Sequence, residues 1–223
     1  MKRPGYGQSD VKPERTMGDW VSDVEEFTDY LGINQFSIIA ESGGAPYAYT
    51  CSAKLGDRVT KAAIVCGLGP VYLPEVLENL SREEKGTLQA ALFAPEHLAA
   101  YTQKVQENPA AFVESVLKEM PEQERKALSP ELINGFIGML NEGTKSPEGM
   151  ISDYKIYAKD WGVHFEDLTV PFHFWHSESD QTVPIFHSEF LVDLLPHAEL
   201  TRLKGLITIQ PHWQRLRMLS ALS

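Results

Sequence analysis

Apolar positions recur along this chain in two rhythms, one helical and one continuous, and the alternation between them outlines the architecture. Thr16 and Asp19 form an N-cap pair, after which Trp20, Val24, Phe27 and Leu31 fall on one helical face and Gly32 stops the helix. An apolar run over 36–41 predicts a strand, and a helix follows to about Leu55. Lys61-Ala62-Ala63-Ile64-Val65-Cys66-Gly67 is continuous rather than alternating, the pattern of a strand covered on both faces. Between Pro70 and Trp161 short amphipathic patterns take over. Pro95, Pro109, Pro130 and Pro147 each suit a first helical turn, and Ser81 with Glu84 makes a capping box. Apolar sets such as Phe112, Val113, Val116, Leu117 and Met120, or Leu132, Ile133, Phe136, Ile137 and Leu140, mark their inner faces. The strand–helix alternation then resumes. Residues 171–176 form a strand and Ser177 to Thr182 a polar loop. Pro184 opens a helix with Phe186, Phe190, Leu191 and Leu194 inward, and 198–203 form a last strand. A terminal helix carries Trp213, Leu216, Leu219 and Leu222.

Strands alternating with helices predict an α/β fold with a parallel sheet and right-handed crossovers. The core is expected over 1–69 and 162–223, with 70–161 as a helical insert packed on it. Arg3-Pro4-Gly5-Tyr6-Gly7-Gln8-Ser9-Asp10 is turn-rich and excluded from regular structure. The 223 residues suffice for one domain with a sizeable core. A formal charge of -11 repels phosphate backbones and anionic lipid, so neither nucleic acid nor a membrane is an expected partner. The two cysteines, Cys51 and Cys66, have no metal-ligand or redox spacing and are expected as buried small hydrophobes. No apolar leader region or bilayer-length apolar stretch is seen, and the expectation is a cytoplasmic protein.

The most informative segment is Phe36-Ser37-Ile38-Ile39-Ala40-Glu41-Ser42-Gly43-Gly44-Ala45-Pro46-Tyr47-Ala48. An apolar strand ends at a serine among small residues and a helix starts at once, as in a nucleophile elbow. Strand and helix approach so closely there that the positions two before and two after the serine, Ala40 and Gly44, must be small. Catalytic groups of parallel α/β sheets sit at the carboxyl ends of strands. Ser42 ends one strand, and Asp180 lies in the loop after Phe172-His173-Phe174-Trp175. A serine hydroxyl is a poor nucleophile at neutral pH. It needs a base, and the base needs an anion to orient it.

With these residues laid out, the chain resembles the α/β-hydrolase family, in the esterase, lipase and proline-iminopeptidase-like group. Three segments carry the likeness, which extends over essentially the whole chain: the Arg3 to Asp10 loop, the elbow from Ala40 to Gly44, and Trp175-His176-Ser177-Glu178-Ser179-Asp180-Gln181-Thr182-Val183-Pro184. The resemblance implies Ser42 as nucleophile, Asp180 as the acid and the Gly43 N–H as an oxyanion donor. It implies residues 70–161 as a cap over an ester or small-amide substrate, with no cofactor and no metal. Asp180 as a loop-capping aspartate is the competing reading. His176 is expected to order the acid loop, and Glu41 and Glu178 to be loop or rim charges.

Two departures limit what the resemblance carries. The family places several strands and a His-Gly-type oxyanion loop before the Arg-Pro-Gly-Tyr-Gly segment. This predicts an N-terminally truncated chain whose elbow strand has an open edge, able to pair with another copy or a partner. The family's Gly-x-Gly-His turn is also missing after the last strand, where Lys204-Gly205 runs into Leu206-Ile207-Thr208-Ile209-Gln210-Pro211-His212-Trp213. His212 is the substitute base, or else a surface or helix-start histidine. His97, His164, His173, His187 and His197 sit in cap or scaffold contexts. Losing the histidine of a serine protease costs about a million-fold in kcat, and one oxyanion donor roughly two to three decades. The chain therefore reads either as a serine hydrolase of impaired activity or as a non-catalytic product that binds a ligand or partner.

Overall fold

The computed structural model describes residues 1–119, 122–126 and 128–204. Four strands, β1 (Phe36–Glu41), β2 (Val59–Val65), β3 (Phe172–Ser177) and β4 (Ala198–Leu203), form one sheet in the order β1-β2-β3-β4. Every neighbouring pair is parallel, with Ala40 opposite Ile64, Ile64 opposite Phe174 and Phe174 opposite Leu200. Helix α1 (Met17–Tyr30) precedes β1, α2 (Ala45–Leu55) joins β1 to β2, and α10 (Phe186–Leu194) joins β3 to β4. The long β2–β3 connection is helical: α3 (Pro74–Glu78), α4 (Arg82–Phe93), α5 (Pro95–Glu107), α6 (Pro109–Glu119), α7 (Glu122–Lys126), α8 (Pro130–Gly143) and α9 (Pro147–Tyr157). The parallel α/β architecture and its helical insertion match the expectation. The expected terminal helix lies outside the described residues.

Local chemistry explains the element starts. Thr16 and Asp19 form the reciprocal capping box of α1. Pro95, Pro130 and Pro147 occupy first turns, where a missing N–H costs nothing. Ser81, Ser129 and Ser146 each accept an N–H from the turn they cap. Other expectations shift. Helix α1 turns Met17, Val21 and Thr28 inward with Trp20 and Val24 beside them, while Phe27 and Leu31 are exposed. Thr28 tolerates burial because its hydroxyl is bonded to the Val24 and Glu25 carbonyls. Strand β2 begins two residues earlier than expected and ends at Val65. In α10, Leu191 is buried with His187 and Ser188, whereas Leu194 faces solvent.

One cluster of buried residues spans the sheet, α1, α2, α10 and the near side of the insert. Ala62, Ile64 and Phe174 lie at its centre, and Val76, Leu88, Ile156 and Tyr157 join it from the insert. Beside β1 a groove of roughly 310 Å³ opens between α1 and α2, lined by Arg3, Trp20, Val24, Ile38, Tyr47 and Ala48. Ile39, on the outer strand, is 47% exposed.

The N-terminal turn is pinned to α9 twice. Gly5 (φ +82°) meets Gly149 backbone to backbone: a Cβ on Gly5 would lie 2.8 Å from the Gly149 Cα, and one on Gly149 would lie 2.6 Å from the Gly5 oxygen. The second attachment is polar. Asp153, on α9, is 2% exposed and accepts from Arg3 Nη2 at 2.7 Å, Tyr6 at 2.8 Å, Tyr47 at 2.6 Å and the Arg15 guanidinium. Burial first, and then the charge of Asp153, pushes the Tyr6 and Tyr47 phenols up, which keeps them protonated donors. Removing one partner from such a buried network leaves the others uncompensated. Asp153→Ala is therefore expected to cost about 3–5 kcal/mol. Urea unfolding checks this, and a loss below about 1 kcal/mol would show that water replaces the carboxylate.

Candidate active site

Ser42 stands where β1 gives way to a 3₁₀ turn, Ser42–Gly44, that leads directly into α2. Its backbone lies in the left-handed region, φ +51°, and the residue is exposed to solvent. That conformation costs an L-residue roughly 1–2 kcal/mol, and strain of this kind concentrates at functional turns. The Ser42 carbonyl accepts the N–H of Leu68 at 3.1 Å, which ties the turn to the chain leaving β2. The expected pair, Ala40 and Gly44, does face each other, and Gly43 has a closer neighbour still. A Cβ on Gly44 would meet Ala40 at 3.8 Å, an ordinary contact, whereas one on Gly43 would lie 2.6 Å from the Tyr157 hydroxyl. A side chain at Gly43 would displace the far end of Tyr157 on α9, and at Gly44 the facing Ala40 Cβ leaves room for a methyl.

Asp180 lies in the loop after β3 and is half-buried. Its Oδ1 accepts the N–H groups of Thr182 and Val183, both at 2.9 Å, so the carboxylate does cap its own loop. The Cys66 thiol and the His176 ring converge on it, with one potential ligand atom from each of the three residues within 4.8 Å of the others. Sequence spacing gave no hint of this trio. Cys66, like Ser42, has a positive φ, +44°, at the end of its strand. Burial first, and with it the charge of Asp180, pushes the thiol up, so it stays protonated. A metal does not fit. His176 Nε2 donates to the Val183 carbonyl and Nδ1 accepts from the Ser188 hydroxyl, both at 2.7 Å, leaving no ring lone pair free. These bonds instead brace the loop that carries Asp180, as expected of His176.

Ser42, Gly43 and Asp180 thus lie at the carboxyl edge of the sheet, with Cys66 at the intervening end of β2. His212 lies outside the described residues. Other histidines occupy scaffold positions. His173 stacks on Trp175 at 3.7 Å and bonds the Thr201 hydroxyl at 2.7 Å. His187 is fully buried in α10, where Nδ1 accepts the Gly69 N–H at 3.0 Å. Burial, with His176 as a lesser neighbour, pushes its pKa down to about 4. Both cysteines are buried as expected, and burial pushes the Cys51 thiol up to about 12.

Comparison with known proteins is informative at the level of structure. No family model matches the chain, and no curated protein matches it in sequence. Solved structures do. An α/β-hydrolase-fold protein from Nakamurella multipartita matches with a TM-score of 0.64 and 17% identity, over 99% of this chain and 79% of that one. A thermophilic esterase from Thermogutta terrifontis gives 0.67 and 19%, over 97% and 74%. Est816, described as an N-acyl homoserine lactone degrading enzyme, gives 0.70 and 15%, over 100% and 81%. The chain has the α/β-hydrolase fold.

Two measurements follow from the site. Ser42→Gly relieves the left-handed strain but adds unfolded-state entropy, for a net expected gain of about 0.5–1 kcal/mol in urea unfolding. A loss would mean that the serine is not strained. The second concerns His187. A histidine depressed in the folded state binds its proton more readily when unfolded, so its contribution is complete above about pH 6.5 and falls away toward pH 4. The urea midpoint should decline between pH 7 and 5, before most carboxylates titrate. In His187→Gln the decline should be shallower, because only the smaller contribution of His176, also depressed by burial, remains of this pair. An unchanged slope would exclude His187 as its source.

Proposed function

We propose that this chain carries serine-hydrolase chemistry toward ester or small amide bonds. The observation that carries the reading is the strained, solvent-facing Ser42 at a strand–turn–helix apex, on the same sheet edge as the Asp180 loop. In the proposed reaction the Ser42 hydroxyl oxygen bonds to the substrate carbonyl carbon. Its proton passes to a base, and the oxyanion meets the N–H of Gly43. Collapse expels the alcohol or amine, which takes that proton, and leaves an acyl-serine for water to hydrolyse. Asp180 is the group proposed to orient the base, through the carboxylate oxygen not engaged by the loop N–H groups. His212 is the candidate base. With no Gly-x-Gly-His turn in the sequence, the proposal is for slow acyl transfer in which deacylation limits turnover. Residues 70–161 are proposed as the cap that shapes the substrate site, and no metal or cofactor is invoked. The two buried free cysteines support a reducing, cytoplasmic setting. Among the described residues no helix is long and apolar enough to cross a membrane.

A second reading has its own observation: among the described residues β1 is an edge strand, with Ile39 exposed beside the α1–α2 groove. Such an edge favours a non-catalytic role in which the strand pairs with another copy or a partner. One experiment separates the two. The purified, folded chain is treated with a fluorophosphonate and the adduct located by mass spectrometry, with Ser42→Ala as control. Labelling confined to Ser42 and absent from the control is the expected result. An unlabelled, folded chain that sediments as a dimer, and as a monomer after Ile39→Lys, would replace the hydrolase reading with the second.

A further inference from the structure

The Asp153 network reaches the elbow itself. Tyr157, the last residue of α9, donates its hydroxyl proton to the Gly43 carbonyl at 2.6 Å. The same oxygen lies 3.2 Å from Asp153 Oδ2. A phenol has one proton, and the shorter contact takes it. Burial first, and Asp153 next, push the Tyr157 phenol well up, so the proton stays in place. Gly43 bears no side chain to restrict its backbone, so its two peptide planes are set by what holds them: the Leu68 N–H on the Ser42 carbonyl on one side and Tyr157 on the other. Its carbonyl is held from α9, and a side chain at this position would strike the hydroxyl that holds it.

We propose that Tyr157 is a positioning residue: by fixing the Gly43 carbonyl it holds the Gly43–Gly44 peptide, while the Leu68 N–H on the Ser42 carbonyl holds the Ser42–Gly43 peptide that carries the Gly43 N–H, so Gly43 is clamped on both sides and the seating of α9 is coupled to the reactivity of Ser42. The inference rests on the hydrolase reading for its functional half, since that N–H is the proposed oxyanion donor. Its mechanical half, that the hydroxyl holds the Gly43–Gly44 peptide, stands without it. The chain of contacts is continuous. Arg3, Tyr6 and Arg15 seat Asp153, and Tyr157 one helical turn later on α9 holds Gly43. An oxyanion donor acts only if aimed at the developing charge, and displacements near an ångström cost orders of magnitude.

The test compares Tyr157→Phe with Tyr154→Phe. Tyr154, on the same helix, donates to Glu84 at 2.7 Å, so its loss removes a similar hydroxyl bond away from the elbow. Both variants are expected to fold with slightly lowered Tm. Fluorophosphonate labelling of Ser42 should slow at least about tenfold in Tyr157→Phe and stay unchanged in Tyr154→Phe. Equal labelling of wild type and Tyr157→Phe would overturn the proposal, as would equal slowing by both variants, which would mark a general loss of structure. In ¹⁵N-glycine-labelled protein the Gly43 and Gly44 amide resonances should move in Tyr157→Phe alone. If wild type does not label, the hydrolase reading falls, and these resonances then decide the mechanical half: unmoved signals overturn it, and selective movement retains it.

Discussion

The carboxylate of Asp153 is the constraint on which the rest of the molecule depends. A buried anion is tolerable only if charge and hydrogen bonds surround it, and here the donors come from segments far apart in the chain. Arg3, Tyr6 and Arg15 come from the N-terminal turn, Tyr47 from the helix after the elbow, and Asp153 itself from the end of the insert. Arg15 Nη1 also donates to the Tyr47 hydroxyl at 2.5 Å, so the donors are locked to one another as well. Apolar burial brings α1, α2 and α9 together without fixing their register. The carboxylate selects one arrangement, because sliding α9 by a turn would leave guanidiniums and phenols unpaired in the interior.

Two left-handed residues, Ser42 and Cys66, end adjacent parallel strands at the same sheet edge. Such strain persists only where the surroundings over-determine it. For Ser42 these are the Leu68 N–H on its carbonyl and, one residue on, the Tyr157 hydroxyl. For Cys66 one is its own N–H, held by the Trp175 carbonyl at 2.9 Å. Both stand at the carboxyl edge where chemistry is proposed; a register shift at the start of β1 and a third left-handed residue, Glu14, lie elsewhere.

Whatever rests on local signals was legible in the sequence. β1 and β4 occur at the expected residues, as short segments bounded by turns, and the prolines and serines of the insert mark helix starts through capping geometry that needs no tertiary partner. The strand–turn–helix junction at Ser42 and the post-strand loop at Asp180 were legible because both have short-range patterns. Tertiary contacts were not legible. The face of α1 rotated because Thr28, polar by composition, satisfies itself and goes inside while Phe27 stays out. Asp153 lies in a helix pattern that reads as amphipathic, with nothing nearby to announce two arginines more than 130 positions upstream. Cys66 meets Asp180 only because β2 and β3 are neighbours, and Tyr157 meets Gly43 only because α9 returns across the elbow. The close approach of Ala40 and Gly44 was legible from the motif, whereas the contact of Gly43 with Tyr157 was not, because its partner is remote in sequence.

The paired glycines at positions 5 and 149 bear on how such a molecule can diversify. Where two backbones touch, neither position can be altered alone, and no substitution elsewhere restores the lost separation. The ends of the insert therefore behave differently from its middle. Helix α8 has no fully buried residue and packs against α5 and α6, but its last turn shares the N-terminal attachment, because the Glu142 carbonyl accepts the Gly7 N–H at 3.2 Å and its carboxylate pairs with Lys2. Helix α9 is fastened to the N-terminal turn by contacts that allow no intermediate steps. Variation of the insert is thereby easiest on the exposed faces of α6 and α8, while the seam that joins insert to sheet is inherited whole.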